Sequence, residues 1–173
     1  MEEVILVDKN DEQIGTMEKM QAHLKGVLHR AFSVFIFNGK GEMLLQQRAI
    51  TKYHSGGLWT NACCSHPRPG EELGDAAQRR LKEELGFITP LKKAFSFSYE
   101  TAFDNGLTEN EFDHVYIGSY DGKIFPVASE VQDYCFKNMS DISSSLESHG
   151  QKYTSWFHLA YPKIEEWLKQ HKV

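Results

Sequence analysis

Residues 60–87 read TNACCSHPRPGEELGDAAQRRLKEELGF, a β-prone run that ends at a His-Pro and is followed by a strongly charged segment. Residues 74–86 are predicted to form a helix, with an acidic residue near its start and Gly86 as its stop. Two arginine–glutamate pairs have the i,i+4 spacing of ion pairs on one helix face: Arg79 with Glu83 and Arg80 with Glu84. One interpretation is an exposed, ion-paired helix without a function. Whether the helix has a function depends on the motifs in the rest of the sequence.

The adjacent cysteines that precede this helix are predicted to differ in their surroundings. If residues 60–66 are extended, alternate side chains share a face of the strand. Cys64 then lies with His66, whereas Cys63 lies on the other face with Asn61. Cys64 is therefore the functional candidate. The alternative, that both are small buried hydrophobic residues, stays open on this motif alone.

The number of cysteines argues against a disulfide framework. The chain has three, and an odd number that includes an adjacent pair does not form a set of paired bridges. A zinc knuckle is also disfavoured, because no second CxxC or HxxxH lies at the usual spacing. A reducing, cytoplasmic setting is the simpler expectation.

Composition and charge narrow the class of protein further. With 173 residues, 40% of them hydrophobic and 25% charged, the chain is expected to form a single domain over residues 1–173. A net charge of −5 argues against nucleic acid or an anionic membrane surface as partner. The apolar runs are too short to span a bilayer, and the acidic start MEEVILVDKNDEQ is unlike a signal peptide.

The remaining segments alternate between strand and helix patterns. Strands are predicted at residues 4–8, on both sides of the NGKG turn at 38–41, and at 91–101 and 111–122. Further helices are predicted at 139–150 and 155–172, the second disturbed at Pro162. This order predicts an α+β fold, an α/β/α sandwich in which helices flank a mixed sheet.

Carboxylates and histidines in separate segments suggest a metal site. In the motif ENE, Glu109 and Glu111 are two residues apart, so on a strand both project from one face. His23 and His29 are separated by an even number of residues, so an extended segment presents both on one side, and His66 is a third candidate. Three imidazoles and two carboxylates suit a divalent metal of the zinc, manganese or iron type. Taken singly, each of these residues is more typical of a solvated edge or a satisfied core position.

The segment PGEELGDAAQRRLKEELGF resembles the Nudix box, in which helix carboxylates hold Mg²⁺ against a diphosphate. Eight residues fit the pattern: Glu71, Arg79, Leu81, Glu83, Glu84, Leu85, Gly86 and Phe87. Two positions depart from it, since Ser65 stands in place of the first Gly and Arg80 in place of a Glu. The loss of that carboxylate weakens the case for hydrolysis but not for diphosphate binding.

Together with motifs elsewhere, this segment is similar to the type I isopentenyl diphosphate isomerases, a family with a Nudix-like fold. The resemblance runs from about residue 4 to about residue 156. It rests on motifs in the family's order: EKMQAH, LHRAFS, QRAITK, WTNACCSHP, RRLKEELG, FSYETAFDNGLTENE and YTSW. WTNACCSHP followed by a degenerate Nudix box and ENE is quite specific.

The resemblance implies a role for each residue at a matching position. Cys64 would be the catalytic thiol, Glu111 the carboxylate on the opposite side of the substrate, and Tyr99 the hydrogen-bonding partner of Glu111. Glu84 would help to hold the Mg²⁺ that binds with the substrate diphosphate, and Trp156 would lie over the hydrocarbon. Five residues match the family's metal ligands: His23, His29, His66, Glu109 and Glu111. Four match cationic positions that contact the phosphates: Lys19, Arg48, Lys52 and Arg80.

The reaction implied by the resemblance converts isopentenyl to dimethylallyl diphosphate through protonation and deprotonation, a 1,3-allylic proton shift. Its implied cofactors are Mg²⁺ with the substrate and a second divalent metal, Mn²⁺, Zn²⁺ or Mg²⁺, at the His/Glu site. A cationic site would favour the thiolate of Cys64, which makes Cys64 the base and Glu111 the acid, although the sequence leaves that choice open. The expected partner is a small prenyl diphosphate, and the expected state is a monomer or weak dimer.

Two other functions are compatible with parts of the pattern. A Nudix hydrolase of a nucleoside or prenyl diphosphate would use the same helix, but Arg80 argues against it and WTNACCSH would have no purpose. A metal-binding module without turnover would use the His/Glu set structurally. Loss of reaction on Cys64→Ala separates the isomerase from that module.

Overall fold

The computed structural model describes residues 1–171. Its strands are β1 (Glu3–Val7), β2 (Gln13–Glu18), β3 (His29–Phe37), β4 (Met43–Arg48), β5 (Trp59–Thr60), β6 (Cys63–Ser65), β7 (Leu91–Ala102), β8 (Thr108–Ser119) and β9 (Val131–Lys137). Its α-helices are α1 (Lys19–Lys25), α2 (Leu73–Leu85), α3 (Met139–Ser148) and α4 (Ser155–Gln170), and a 3-10 turn (Gly150–Lys152) precedes α4.

Most predicted elements are present, and three that were not predicted join them. The helix predicted at 74–86 is α2, and the strands predicted at 4–8, 91–101 and 111–122 are β1, β7 and β8. The elements that were not predicted are β2, α1 and β9. The helix predicted to reach residue 172 ends at Gln170, and residue 172 itself lies outside the described part of the chain.

Strand β3 is the centre of the mixed sheet. It pairs in parallel with β8 over its whole length, with His29 opposite Glu111. Three strands pair with its other edge: β1 near His29, β6 in the middle and β4 only at Phe37. The NGKG turn therefore connects β3 and β4 as predicted, but β4 diverges at once to pair with β5 and β9.

Alternate residues of β3 build the two sides of the sandwich. Phe32, Val34 and Ile36 pack with α2, whereas Phe35 packs with α3 and α4. The helices thus cover both faces of a mixed sheet, and the predicted α/β/α sandwich is confirmed. The candidate site lies on the Phe35 face, towards the end of the sheet where β3 begins.

Helix α2 ends where its sequence predicted. Gly86 has φ of 76° and donates its N–H to the carbonyl of Lys82, a left-handed helix cap that favours glycine. A Cβ at this position would also lie 2.8 Å from the Cβ of Phe125. The glycine therefore satisfies both the turn and the close approach of the segment that follows β8.

The C-terminal helix was expected to be disturbed at Pro162, and this expectation is wrong. Helix α4 continues unbroken from Ser155 to Gln170 with Pro162 inside it. Pro162 cannot donate to the carbonyl of His158, but both residues are exposed, so water can satisfy that carbonyl. Within residues 1–171, no helix combines the length and the apolar character that a membrane crossing requires.

Candidate active site

The two cysteines of β6 face opposite sides of the sheet. Cys64 lies opposite Ser33 on β3, and Cys63 lies opposite Val34. Cys63 is fully buried in the α2 layer, whereas Cys64 lines a small cavity. The strand alternation predicted this division, and the catalytic role of Cys64 stays a prediction. All three cysteines of the chain are free thiols.

Asn61 lies beside Cys64, so the prediction that it shares the face of Cys63 is wrong. The chain bends at Ala62, between β5 and β6, and this bend breaks the alternation. The thiol of Cys64 donates to Asn61 Oδ1 at 3.1 Å, and its Sγ lies 3.5 Å from Ser33 Oγ. Asn61 is itself fixed, because its amide donates to the carbonyl oxygens of Val34 and Cys63.

The protein's own groups favour the thiol of Cys64. Burial raises the pKa of Cys64 far above its usual range, and the negative charge of Asp113 adds to this, although the hydrogen bond with Ser33 opposes it. The expectation of a thiolate is therefore not met by the protein groups alone. Burial also raises the pKa of Asp113 well above its usual value, and Glu111 contributes.

Next to the cavity, four buried side chains aim ligand atoms at one another. His23 comes from α1, His29 from the start of β3, His66 from the turn after β6, and Glu111 from β8. Their ligand atoms all lie within 4.8 Å of one another. The expectation that an extended segment brings His23 and His29 together is wrong, since a helix and a strand separated by the left-handed Gly26 do so.

Hydrogen bonds to the backbone orient two of these imidazoles. The Nδ1 atoms of His23 and His29 lie 2.7 and 2.8 Å from the carbonyl oxygens of Lys19 and Val27, so each Nδ1 carries the proton. Their Nε2 atoms are then lone-pair donors, and both are buried without a hydrogen-bond partner in the described structure. Buried nitrogens of this kind fit a metal ion, which would remove the cost of leaving them unpaired.

The electrostatics of this group also fit a cation. Burial lowers the pKa of His23 to about 4, so its imidazole is neutral at pH 7 as a metal ligand must be. Burial opposes the ionisation of Glu111, but its close contacts with His29 and His66 hold the pKa of Glu111 well below its usual range. His66 Nε2 lies 2.9 Å and His29 Nε2 3.4 Å from Glu111 Oε1.

Tyr99 joins the two carboxylates of β8. Its hydroxyl lies 2.7 Å from Glu111 Oε2 and 2.8 Å from Glu109 Oε2, and it donates its proton between them. Burial and the two nearby carboxylates raise the pKa of Tyr99, which keeps the donor protonated. The same-face arrangement predicted for Glu109 and Glu111 is present, and Tyr99 fixes it.

Glu109 belongs to a second group of potential ligands that overlaps with the first. Its Oε1 lies 2.9 Å from His54 Nε2, and His23, His54 and Glu109 form a set whose ligand atoms lie within 4.8 Å of one another. His54 was missed by the sequence reasoning. It lies in the loop between β4 and β5, where no alternation or helical period predicts the direction of a side chain.

The cavity itself has a volume of about 80 Å³ and is lined mainly by polar groups. Seven predicted site residues line it: Lys19, Arg48, Lys52, Cys64, His66, Arg80 and Glu84. Trp156 is buried and does not line the cavity; Arg48 covers its ring, with the guanidinium carbon 5.2 Å from the ring centre. His54 meets the edge of the same ring at a centroid distance of 5.6 Å.

Three of the predicted phosphate-binding cations that line the cavity are bonded to carboxylates of the protein. Lys19 donates to Glu2 and Lys52 to Glu130, each at 2.7 Å. Arg80 donates to Glu83 Oε2 at 2.6 Å and to Glu84 Oε1 at 2.8 Å. The predicted helix ion pairs are thus present, but Glu84 is buried and its pKa is raised by that burial, which Arg80 opposes. The face that carries Glu84 is therefore not a solvated surface.

A larger cleft lies elsewhere on the molecule and has a different character. It measures about 1320 Å³ and lies between the C-terminal helix and the ends of β3, β7 and β8. Its walls include Leu91, Ile117 and Trp167, and within residues 1–171 no cysteine or carboxylate lines it. The smaller, polar cavity is the one that brings ionisable groups together.

Comparison with known proteins agrees with this arrangement. The sequence matches the NUDIX domain over residues 27–157. A protein of Photorhabdus laumondii subsp. laumondii, named isopentenyl-diphosphate Delta-isomerase 2, is 50% identical over 98% of this chain and 99% of its own. The isopentenyl-diphosphate Delta-isomerase of Pectobacterium atrosepticum is 46% identical over 98% of this chain and 95% of its own.

Solved structures agree on the fold. A protein from Deinococcus radiodurans superposes with a TM-score of 0.72 over 86% of this chain and 90% of its own, at 17% identity. A MutT protein from Methanosarcina mazei gives 0.67 over 84% of this chain and 96% of its own, at 19% identity. The chain therefore belongs to the NUDIX family and, within it, to the isopentenyl-diphosphate Delta-isomerases.

Proposed function

We propose that this protein interconverts isopentenyl and dimethylallyl diphosphate by a 1,3-allylic proton shift. One observation carries the proposal: the thiol of Cys64 lines the same cavity as all four predicted phosphate-binding cations and as His66, whose Nε2 contacts Glu111. The cavity thus combines a proton-carrying group, a nearby carboxylate and a cationic end that suits a diphosphate. A hydrolase requires no thiol at this position.

The shift needs one group that gives a proton and another that takes one, on the two sides of the substrate. We assign these roles to Cys64 Sγ and the carboxylate of Glu111, which come from strands on either side of β3. At rest Cys64 carries a proton and Glu111 is ionised, because burial raises the pKa of the thiol while His29 and His66 lower the pKa of the carboxylate. Substrate and product have the same composition, so each turnover leaves the number of protons on the pair unchanged.

Tyr99 has a positioning role in this scheme. Its hydroxyl contacts Glu109 and Glu111 at once, so it fixes the carboxylate that exchanges a proton. His23, His29, His66, Glu109 and Glu111 would hold one divalent ion, for which Mn²⁺, Zn²⁺ and Mg²⁺ are the candidates. When bound, that ion supplies positive charge that orients Glu111 and lowers its basicity.

The cationic end of the cavity would anchor the substrate. Glu84 would help to hold Mg²⁺ with the diphosphate, while Lys19, Arg48, Lys52 and Arg80 would contact the phosphates. This binding energy, remote from the alkene, would be used to place the reacting carbons between Cys64 and Glu111.

Trp156 would act on the developing carbocation through the face of its ring. A cation–π contact in a dry site contributes about 2 kcal/mol. That is about a 30-fold effect on rate, so most of the acceleration would come from the placed proton donor and acceptor. Arg48 covers this ring in the structure, so engagement of Arg48 by the phosphates would free it.

The decisive experiment is NMR of the purified protein with isopentenyl diphosphate, Mg²⁺ and Mn²⁺ in D₂O. We expect dimethylallyl diphosphate with deuterium incorporation and no release of phosphate. Cys64→Ala should abolish that product, whereas the matched Cys63→Ala should retain most of it, because Cys63 faces the α2 core. Release of phosphate or a monophosphate would instead establish the hydrolase, and bound metal without either product would establish a metal-binding module.

Three further properties follow from the proposed role and stay predictions. The enzyme would act as a single domain in the cytoplasm, where its free cysteines stay reduced. It would function as a monomer or weak dimer. Its partner would be the small prenyl diphosphate itself.

A further inference from the structure

We infer that His54 is an additional direct ligand of the metal centre, so that four imidazoles and two carboxylates surround one ion. This inference rests on the proposed metal centre. It does not depend on which reaction the enzyme catalyses. Sequence matching to the family assigned five ligands and left His54 in an unremarked loop.

The position of His54 is that of a ligand without its ion. The side chain is buried, with 5% of the residue exposed, and its Nε2 is buried without a hydrogen-bond partner in the described structure. Glu109 Oε1 lies only 2.9 Å from that nitrogen, yet the two atoms are not aligned for a hydrogen bond. Together with His23, the two atoms form a set of potential ligands within 4.8 Å of one another.

The imidazole of His54 is held in this orientation on all sides. It stacks on Phe103 with centroids 4.5 Å apart and an interplanar angle of 11°, and it meets the edge of Trp156. Its Nδ1 lies 3.2 Å from Ser55 Oγ, and its carbonyl accepts a hydrogen bond from Arg48. The contacts to the ring therefore leave Nε2 as the free nitrogen and direct it towards Glu109.

His23 joins the two groups of ligands into one centre. Its ring centroid lies 5.0 Å from His29, 5.7 Å from His66 and 6.0 Å from His54. Because its Nδ1 is bonded to the carbonyl of Lys19, only Nε2 is available, and one imidazole nitrogen binds one ion. Both groups that contain His23 therefore serve the same ion.

The closest separations between ligand atoms fit neighbouring positions on one ion. With bonds of about 2.1 Å, adjacent ligands of an octahedral ion lie about 3 Å apart. The closest nitrogen–oxygen pairs are 2.9 Å for His66 with Glu111, 2.9 Å for His54 with Glu109, and 3.4 Å for His29 with Glu111. The ligand atoms of the two groups do not all lie within 4.8 Å of one another, so binding of the ion would draw His54 and Glu109 towards the others, and six residues would then fill the shell.

The inference is tested by counting imidazoles on Co²⁺, an ion that accepts six ligands and suits nitrogen donors. X-ray absorption of the Co²⁺-loaded wild-type protein should show four imidazoles, and His54→Phe should show three. Phenylalanine keeps the stacking on Phe103 while it removes the nitrogen. In competition with a chelator, His54→Phe should bind Co²⁺ about 100-fold more weakly than wild type, comparable with the larger losses that accompany altered metal shells.

A second buried histidine supplies the matched control. His114 lies 2.8 Å from Asp11 and outside the metal cluster, so His114→Phe should retain four imidazoles and wild-type affinity. Three imidazoles in the wild-type protein would overturn the inference, whether or not His54→Phe folds. Weaker Co²⁺ binding with an unchanged count would overturn it as well, since His54 would then only position Glu109. None of these readouts uses turnover, so the result is independent of the proposed reaction.

Discussion

The two ends of the active-site cavity satisfy their charged and polar groups in opposite ways. At the metal end, the Nε2 atoms of His23 and His29 are buried and have no hydrogen-bond partner among the residues that the structure describes. At the phosphate end, the side chains of Lys19, Lys52 and Arg80 are already bonded to carboxylates of the protein. One end is therefore incomplete until a cation arrives, while three of the four cations at the other end are neutralised by the chain itself and Arg48 has no carboxylate partner among the described residues.

This difference has consequences for how each ligand binds. The Nε2 atoms at the metal end give up no hydrogen bond when a metal ion binds. Binding therefore adds contacts and stabilises the fold. A diphosphate has to displace Glu2 and Glu130 from Lys19 and Lys52, so it exchanges one set of ion pairs for another. Exchange of partners keeps the net affinity modest and lets the product leave. The following predictions test this contrast, beginning with the largest effect.

Glu111→Gln should have the largest effect, because it changes both the proton carrier and the metal end. We expect turnover to fall by about 10³-fold or more, as the loss of a general acid or base with its positioned charge requires. Metal content after dialysis against chelator should fall too. The matched control is Glu100→Gln, an exposed carboxylate on β7, which should leave both unchanged. Normal turnover in Glu111→Gln would remove Glu111 from the reaction.

Removal of the metal should lower the thermal stability. An ion present at 100 times its Kd adds about 2.7 kcal/mol to the free energy of unfolding. For a chain of this size that corresponds to a rise of about 5–10 °C in Tm. Thermal unfolding with and without Mn²⁺ measures it, and Glu111→Gln should show a smaller rise. An equal Tm in Mn²⁺ and in EDTA would mean that the metal end is complete without an ion.

Arg80→Gln should affect the phosphate end and leave the metal end intact. A lost hydrogen bond to a charged group costs about 1.5 kcal/mol or more, so KM should rise about 10-fold while bound Mn²⁺ is unchanged. Arg79→Gln is the matched control, because Arg79 is paired mainly with Glu71 and does not line the cavity. Equal changes in KM for both variants would contradict a specific role of Arg80.

Sequence periodicity accounts for much of the fold and for part of the site. The helix α2 was predicted because its stop at Gly86 is a local property, and Glu109 and Glu111 were placed together because strand β8 alternates. The seven-residue helix α1 was not predicted. It begins at the side chain of Glu18, which accepts two backbone N–H bonds, and its remaining support is tertiary.

The parts of the site that were missed or wrongly placed lie where no period applies. Asn61 stands at a bend between two short strands, and His54 stands in a loop whose next residue, Ser55, has a positive φ of 54°. His23 and His29 lie together, as predicted, but for a different reason, since their meeting depends on how α1 packs beside β8. Contacts between segments of this kind are decided by packing, which a single sequence does not display.

Glu130→Gln should produce the smallest effect. It tests directly whether the protein's own carboxylates compete with the phosphates for the cations. Burial opposes ionisation of Glu130, yet the bond to Lys52 lowers its pKa, so it is a charged competitor for Lys52 and Arg80. Since a partly exposed ion pair contributes up to about 1 kcal/mol, its removal should tighten binding of inorganic diphosphate by about two- to five-fold. Calorimetry with Mg²⁺ measures this, and Glu147→Gln on the exposed side of α3 should have no effect. Weaker binding in Glu130→Gln would show that this carboxylate helps to hold the Mg²⁺ of the substrate. In that case the phosphate end, like the metal end, would be a site built to receive a cation.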